Sequence, residues 1–266
     1  MSVIISTDNS KIKLNKIYNI KCEDGLRLLE DNSIDLTVTS PPYSSLRTYG
    51  GNSDFNFEDI AAQLYRVTKS GGTVVWITGD ETIKGSESGE SFRQALHFKQ
   101  IGFNIHDTMI YMKHNFSNPS STRYHQIFEY MFILTKGSPK TFNPIKDRPN
   151  ITAGQIGSWG KNTVTQKDGS KKERPRKINT EFGMRYNIWK IQCGKDKGSK
   201  FHPAVFPIEL VKDLIISWSN NLDTILDPFM GAGTTAMACK LVSRNYIGFE
   251  ANKNYYDESL KLVDSN

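Results

Sequence analysis

The spacing of apolar side chains along the chain changes period repeatedly. Residues 17–22 alternate and predict a strand, followed by a turn at Glu23-Asp24-Gly25 and a short helix over 26–30. Residues 34–39 read as a β-rich strand that runs directly into Ser40-Pro41-Pro42-Tyr43. Two successive prolines cannot donate to a ladder, so the strand ends there. Ile60, Leu64 and Val67 recur at helical spacing within 57–68. Gly71-Gly72 then precedes a strand of buried type over 73–78, and 92–101 predicts another helix. Residues 103–113 and 126–135 read as strands joined by a polar loop.

After Gly137 no period holds for long. Order returns at Pro207, a suitable first helical residue, with Leu210, Leu214 and Trp218 on one helical face. A strand over 224–226, a turn over 227–233, a helix over 234–242, a strand over 246–250 and a helix over 252–263 complete the pattern. Alternation of strands and helices at both ends of the chain implies an α/β fold with a mostly parallel sheet covered on both faces.

Composition refines this picture. The 266 residues suit one large α/β domain with an insertion, or one domain plus a small appendage, and no apolar run approaches the roughly 18 residues of a membrane span. The polar first ten residues do not resemble a signal peptide, so a cytosolic protein is expected. Cys22, Cys193 and Cys239 stand far apart, which argues against a disulfide frame or a zinc site and favours small buried apolar groups. The formal net charge is +6, but residues 137–200 carry 15 Lys/Arg against 5 Asp/Glu. One segment therefore holds the whole positive excess, as a polyphosphate partner would favour. A solvated loop without a partner is the plainer alternative.

Two turns carry candidate chemistry. Asp227-Pro228-Phe229-Met230-Gly231-Ala232-Gly233-Thr234-Thr235 joins a strand to a helix. Its glycines allow close approach of a ligand, and an acid at the strand end suits a guest with positive charge better than a phosphate. Glu250 ends the next strand, where a carboxylate can accept from both hydroxyls of a ribose, or else serve the following helix start. Asp24 also follows a strand end and is a further candidate for the same ligand. In Ser40-Pro41-Pro42-Tyr43 the prolines hold a rigid loop. The Ser40 hydroxyl and the Pro41 carbonyl would then form two fixed acceptors for an exocyclic NH₂, with Tyr43 as a stacking face for a flipped base.

These two motifs together resemble the amino-methylating DNA methyltransferases, which act on N4 of cytosine or N6 of adenine. The family's hallmarks are a D/N/S-P-P-Y/F/W catalytic loop and a D-P-F-x-G-x-G-T-T cofactor loop. Both are matched here, with Ala232 in place of the usual serine. The catalytic motif comes first and the cofactor motif last, the circularly permuted order of the family's β group, and His202-Pro203-Ala204-Val205-Phe206-Pro207 is similar to that group's H-P-x-x-x-P stretch. The resemblance implies a Rossmann-like methyltransferase fold that divides into a catalytic-loop half over 1–136, a basic target-recognition insertion over 137–200 and a cofactor-binding half over 201–266. It implies S-adenosylmethionine as cofactor, held by Asp24, Asp227, Pro228, Phe229, Gly231, Gly233, Thr234, Thr235 and Glu250. It implies transfer to a base rotated out of duplex DNA, beside Ser40, Pro41, Pro42 and Tyr43, with no metal and no covalent adduct. Lys171, Lys172, Arg174, Arg176 and Lys177 are the expected DNA contacts, and Arg47 with Tyr49 is expected near the base. Arg123 and His125 are placed in the hairpin loop, His125 as an ordinary surface residue. Serine at the first motif position goes mostly with N4-cytosine enzymes in the family, so cytosine is expected, with N6-adenine as the alternative. A cognate restriction endonuclease is a further partner that the resemblance suggests. An RNA or small-molecule methyltransferase and a non-catalytic DNA-binding relic are the rival readings.

Overall fold

The computed structural model describes residues 12–42, 55–116, 119–156, 163–173, 178–192 and 206–264. In chain order the elements are β1 (Lys16–Tyr18), α1 (Cys22–Arg27), β2 (Ile34–Thr39), α2 (Phe57–Val67), β3 (Thr68–Thr78), the small pair β4 (Thr82–Ile83) and β5 (Ser86–Glu87), α3 (Glu90–Gln100), β6 (Asn104–Met112) and β7 (Phe128–Thr135). There follow β8 (Arg148–Pro149), β9 (Thr163–Thr165), β10 (Lys171–Glu173), β11 (Phe182–Gly183), β12 (Ile188–Lys190), α4 (Ile208–Trp218), β13 (Thr224–Asp227), α5 (Thr234–Leu241), β14 (Asn245–Phe249) and α6 (Lys253–Asp264).

Eight strands form one sheet in the order β1-β14-β13-β2-β3-β7-β6-β12. Every neighbouring pair is parallel except those made by β7, which runs antiparallel to both β3 and β6. This is the mixed, mostly parallel α/β sheet that the alternating pattern predicts, with the expected antiparallel hairpin at β6 and β7. One core gathers Leu26, Ile34, Ile60, Leu64, Val67, Val74, Trp76, Phe98, Phe132 and Phe249, all 4% exposed or less. Its aromatic rings meet edge to face, as in Phe57 on Phe98 and Trp76 on Phe98. The indole N–H of Trp76 donates to Gln94 Oε1 at 2.9 Å, so this large buried ring leaves no polar atom unpaired.

Four boundaries depart from the sequence pattern. Strand β1 stops at Tyr18, and Cys22 opens α1; Glu23 and Asp24 lie in its first turn, where acids complement the helix dipole. Strand β3 begins at Thr68 and runs through Gly71-Gly72, since register slips from Ile34↔Thr68 to Leu36↔Thr73 across a bulge. Gly71 there has φ +81°, and a Cβ on Gly72 would lie 2.9 Å from the Asp35 carbonyl oxygen. Pro207 is the N-cap of α4, one residue before the helix, and Leu210, Leu214 and Trp218 are buried as their spacing requires. Strand β12, three residues inside the aperiodic 137–200 stretch, joins the main sheet beside β6 and buries Trp189.

The chain divides into two compact units, Pro144–Tyr186 and the remainder. The smaller unit pairs β8 with β11 and β9 with β10, each antiparallel. Among the described residues no helix is long and apolar enough to cross a membrane.

Candidate active site

Strands β2 and β13 lie side by side and parallel, with Leu226 opposite Thr37. From β2 the chain passes through α2 to β3 on one flank; from β13 it passes through α5 to β14 on the other. The two following loops therefore part at the carboxyl ends of adjacent strands, which is where open α/β sheets hold ligands. The loops in question are the two sequence motifs.

Asp227 closes β13 and is 3% exposed. Its Oδ1 accepts from the Thr39 hydroxyl at 2.7 Å and from the Phe229 N–H at 3.0 Å, and its Oδ2 accepts from the Thr235 hydroxyl at 2.6 Å. Burial pushes its carboxyl above the ordinary aspartate range, against the three donors. The sequence reading offers this acid to a guest with positive charge; the structure also gives both oxygens internal donors, so Asp227 ties β2, β13 and α5 together. Thr39, the residue before Ser40, is the partner that periodicity did not single out. Its signal is only its place at the strand end beside the motif.

The cofactor-type loop then turns sharply. Gly231 and Gly233 take φ of +53° and +86°, a left-handed backbone that glycine adopts without strain. Met230 N–H donates to the Phe249 carbonyl at 2.9 Å, and Gly233 begins α5 as its N-cap. Pro228, Thr234 and Thr235 are buried; Phe229 is half-buried, 5.3 Å from the Phe55 ring and 6.4 Å from Trp76.

Glu250 stands just past β14. Its Oε2 accepts from Gly231 N–H at 2.8 Å and its Oε1 from Asn252 N–H at 2.7 Å. Burial raises its pKa, and the nearby Asp227 charge adds to that. An ionised carboxylate has about four acceptor positions, so two donors leave capacity for a diol. Helix α6 is capped by Asn252, whose side chain accepts from Asn254 N–H and Tyr255 N–H. Two neighbouring acids beside a glycine turn fit a cationic guest with a ribose.

Ser40 follows β2 and is half-buried, Pro41 is buried and Pro42 half-buried. Tyr43, Arg47 and Tyr49 lie outside the described residues. Asp24 is exposed on α1 and pairs with Arg27 at 3.5 Å. Lys171 and Lys172 are exposed on β10, while Arg174, Arg176 and Lys177 lie outside the described residues. Arg123 donates to the Gly85 carbonyl at 2.6 Å, and the exposed His125 ring sits 4.0 Å from Phe116. Burial pushes the Cys22 and Cys239 thiols far up, as inert apolar groups; Cys193 is not among the described residues.

With Ser40-Pro41-Pro42 and the glycine turn at the carboxyl ends of adjacent strands, the fold and site define an N6/N4 DNA methylase. The sequence profile of that family matches residues 34–261, and the chain belongs to it. It is an enzyme, a DNA methyltransferase whose cofactor is S-adenosylmethionine. Among curated relatives it is 53% identical over 239 residues to the orphan methyltransferase M.BamHII of Bacillus amyloliquefaciens, spanning 85% of this chain and 87% of that one. The fold is shared with the cytosine-N4-specific PvuII DNA methyltransferase, at a TM-score of 0.66, 19% identity and 92% and 84% coverage. The complex of M1.HpyAVI with S-adenosylmethionine matches at 0.60, with 22% identity and 93% and 98% coverage.

Proposed function

We propose that the chain methylates the exocyclic N4 amino group of cytosine in duplex DNA, on a base rotated out of the helix. The observation that carries this is the Thr39–Asp227 hydrogen bond. It fastens the strand that leads into Ser40-Pro41-Pro42-Tyr43 to the strand that leads into the cofactor turn. Ser40 in the first motif position supports cytosine over adenine, and so does the cytosine-N4 specificity of the PvuII fold relative.

S-adenosylmethionine, when bound, supplies an electrophilic sulfonium methyl. Glu250 takes the ribose hydroxyls, and the turn of Pro228, Phe229, Gly231, Gly233, Thr234 and Thr235 shapes the remaining pocket, with Asp24 at its margin. Asp227 keeps that turn and β2 in register. The Ser40 hydroxyl and Pro41 carbonyl accept from the NH₂ of the base, which draws the nitrogen lone pair out of ring conjugation. Held by Glu250 and the 228–235 turn, S-adenosylmethionine would supply its methyl to the amine that Ser40 and Pro41 grip, the C–S bond breaking as the C–N bond forms, and the proton shed by the nitrogen would pass to water. Pro42 and Tyr43 hold the base in plane. Placement and electrostatics supply the rate.

Residues 137–200 supply the DNA contacts, through Lys171, Lys172, Arg174, Arg176 and Lys177, with Arg47 near the base. The orphan designation of M.BamHII favours a solitary enzyme over one paired with a cognate restriction endonuclease. Nucleoside analysis of DNA from cells expressing the protein tests the assignment. N4-methylcytosine is expected, lost in Ser40→Ala; N6-methyladenine in its place sinks the choice of base.

A further inference from the structure

The smaller unit contains a fastened loop that exposes apolar side chains. Chain 148–156 runs antiparallel to 178–183, paired through β8 and β11 at one end and the Ile156↔Ile178 bridge at the other. Between these points residues 150–155 leave the ladder as two overlapping turns. Ala153 N–H donates to the Asn150 carbonyl at 3.1 Å and Gln155 N–H to the Thr152 carbonyl at 3.1 Å. The base of the loop is stitched to the opposite strand. Gly154 N–H donates to the Asn179 carbonyl at 3.0 Å, Asn150 Nδ2 to the Thr180 carbonyl at 2.9 Å, and Asn179 Nδ2 to Thr152 Oγ1 at 2.8 Å.

Ile151, the second residue of the first of these turns, is fully exposed. A β-branched apolar residue has no local advantage at the second position of a turn, where Pro or a small polar residue is the ordinary choice. Ile156 and Ile178, 59% and 67% exposed, stand on the pair of strands that carries it. The unit around them, 144–186, holds 10 Lys/Arg against 4 Asp/Glu. A hydrogen-bonded loop that exposes an apolar side chain, in a segment of strong positive charge, suits a duplex: phosphates attract the segment, and an aliphatic side chain can enter a base step and unstack it.

We propose that Ile151 is a wedge that inserts between base pairs of bound DNA. The inference rests on the reading of this segment as the DNA surface. It adds a contact that depends on shape and on desolvation of the stack, and no charge is involved.

The test uses the full chain and a short duplex that carries the methylation sequence mapped from expressing cells, with 2-aminopurine placed at successive steps. Wild-type protein should raise the emission at one step other than those flanking the rotated base. Ile151→Ala should abolish that rise and weaken binding about tenfold while leaving the salt dependence of affinity unchanged. Ile151→Lys adds a positive charge, yet it should also bind more weakly. Lys171→Ala with Lys172→Ala should weaken binding and flatten the salt dependence. Unchanged emission and affinity in Ile151→Ala, with the lysine variant impaired, overturns the wedge and leaves the DNA surface standing. If neither variant changes binding, both fall. If Ile151→Ala alters only the mass in solution, Ile151 faces a second copy of the chain and the wedge is overturned. Thermal melts of each variant should match wild type, since Ile151 is solvated.

Discussion

The Thr37 hydroxyl is buried in β2 with no hydrogen-bond partner. An unpaired buried hydroxyl costs roughly 1–3 kcal/mol of desolvation. Valine has the same shape without that penalty. Thr37→Val should therefore raise stability by about 1 kcal/mol, or about 2–4 °C in Tm for a chain of this size, in a thermal melt. Glu250 gives an opposing pair of pH dependences. Its pKa is raised in the folded chain, so its contribution to stability is full below the ordinary glutamate range and falls as pH rises through the raised value. Donor binding runs the other way, because ribose hydroxyls need the carboxylate form. Calorimetric affinity for S-adenosylmethionine should fall on acidification at a higher pH than an ordinary glutamate would give. Glu250→Gln should weaken binding by about 1.5–3 kcal/mol and flatten that profile. The place of Glu250 just past a strand and beside the glycine turn was legible in the sequence, because both are local signals. The Thr39–Asp227 bond was not, because its partners stand 188 residues apart and no periodicity relates them.

At the level of elements, Asp227 is the joint between β2, β13 and α5. Asp227→Ala would leave two hydroxyls and one N–H without their acceptor and should cost about 3 kcal/mol or more in chemical denaturation. Asp227→Asn keeps an acceptor for Phe229 N–H and Thr39 and a donor toward Thr235, so about 1 kcal/mol is expected. Equal losses in the two variants would contradict this role. The long elements were readable because their burial is one-sided and sustained: α2, β6, β7 and α4 fall within a few residues of the predicted limits. The short ones were not. Strands β8 to β12 have two or three residues each, too few to display a period, and β12 is fixed by the burial of Trp189 against a sheet edge. The start of α1 was misread as a turn because Glu23-Asp24-Gly25 has turn composition, while tertiary contact with Phe249 selects the helix: a Cβ on Gly25 would sit 2.6 Å from that ring.

For the molecule as a whole, charge and catalytic apparatus occupy different stretches of sequence. The net +6 of the chain equals the excess carried by residues 144–186 alone, so the rest of the chain is neutral in sum. If that excess draws DNA, Lys171→Ala with Lys172→Ala should reduce the slope of log affinity against log salt by up to about 2, with no change in donor affinity. An unchanged slope would remove these lysines from the interface. Composition exposed this asymmetry before any coordinates. The facing of Lys171 and Lys172 is set by the β9–β10 pairing, which the composition could not convey.

The junction of β2 with β13 also governs the order in which the enzyme comes into being. Translation delivers the acceptor-side strand early and its neighbour 188 residues later, so the nascent chain carries β2 with one side unpaired for most of synthesis. A strand in that condition recruits any other strand it meets. Premature termination before residue 224 should accordingly produce aggregate and no partly active protein, and neither reactant can be held until the last strands dock.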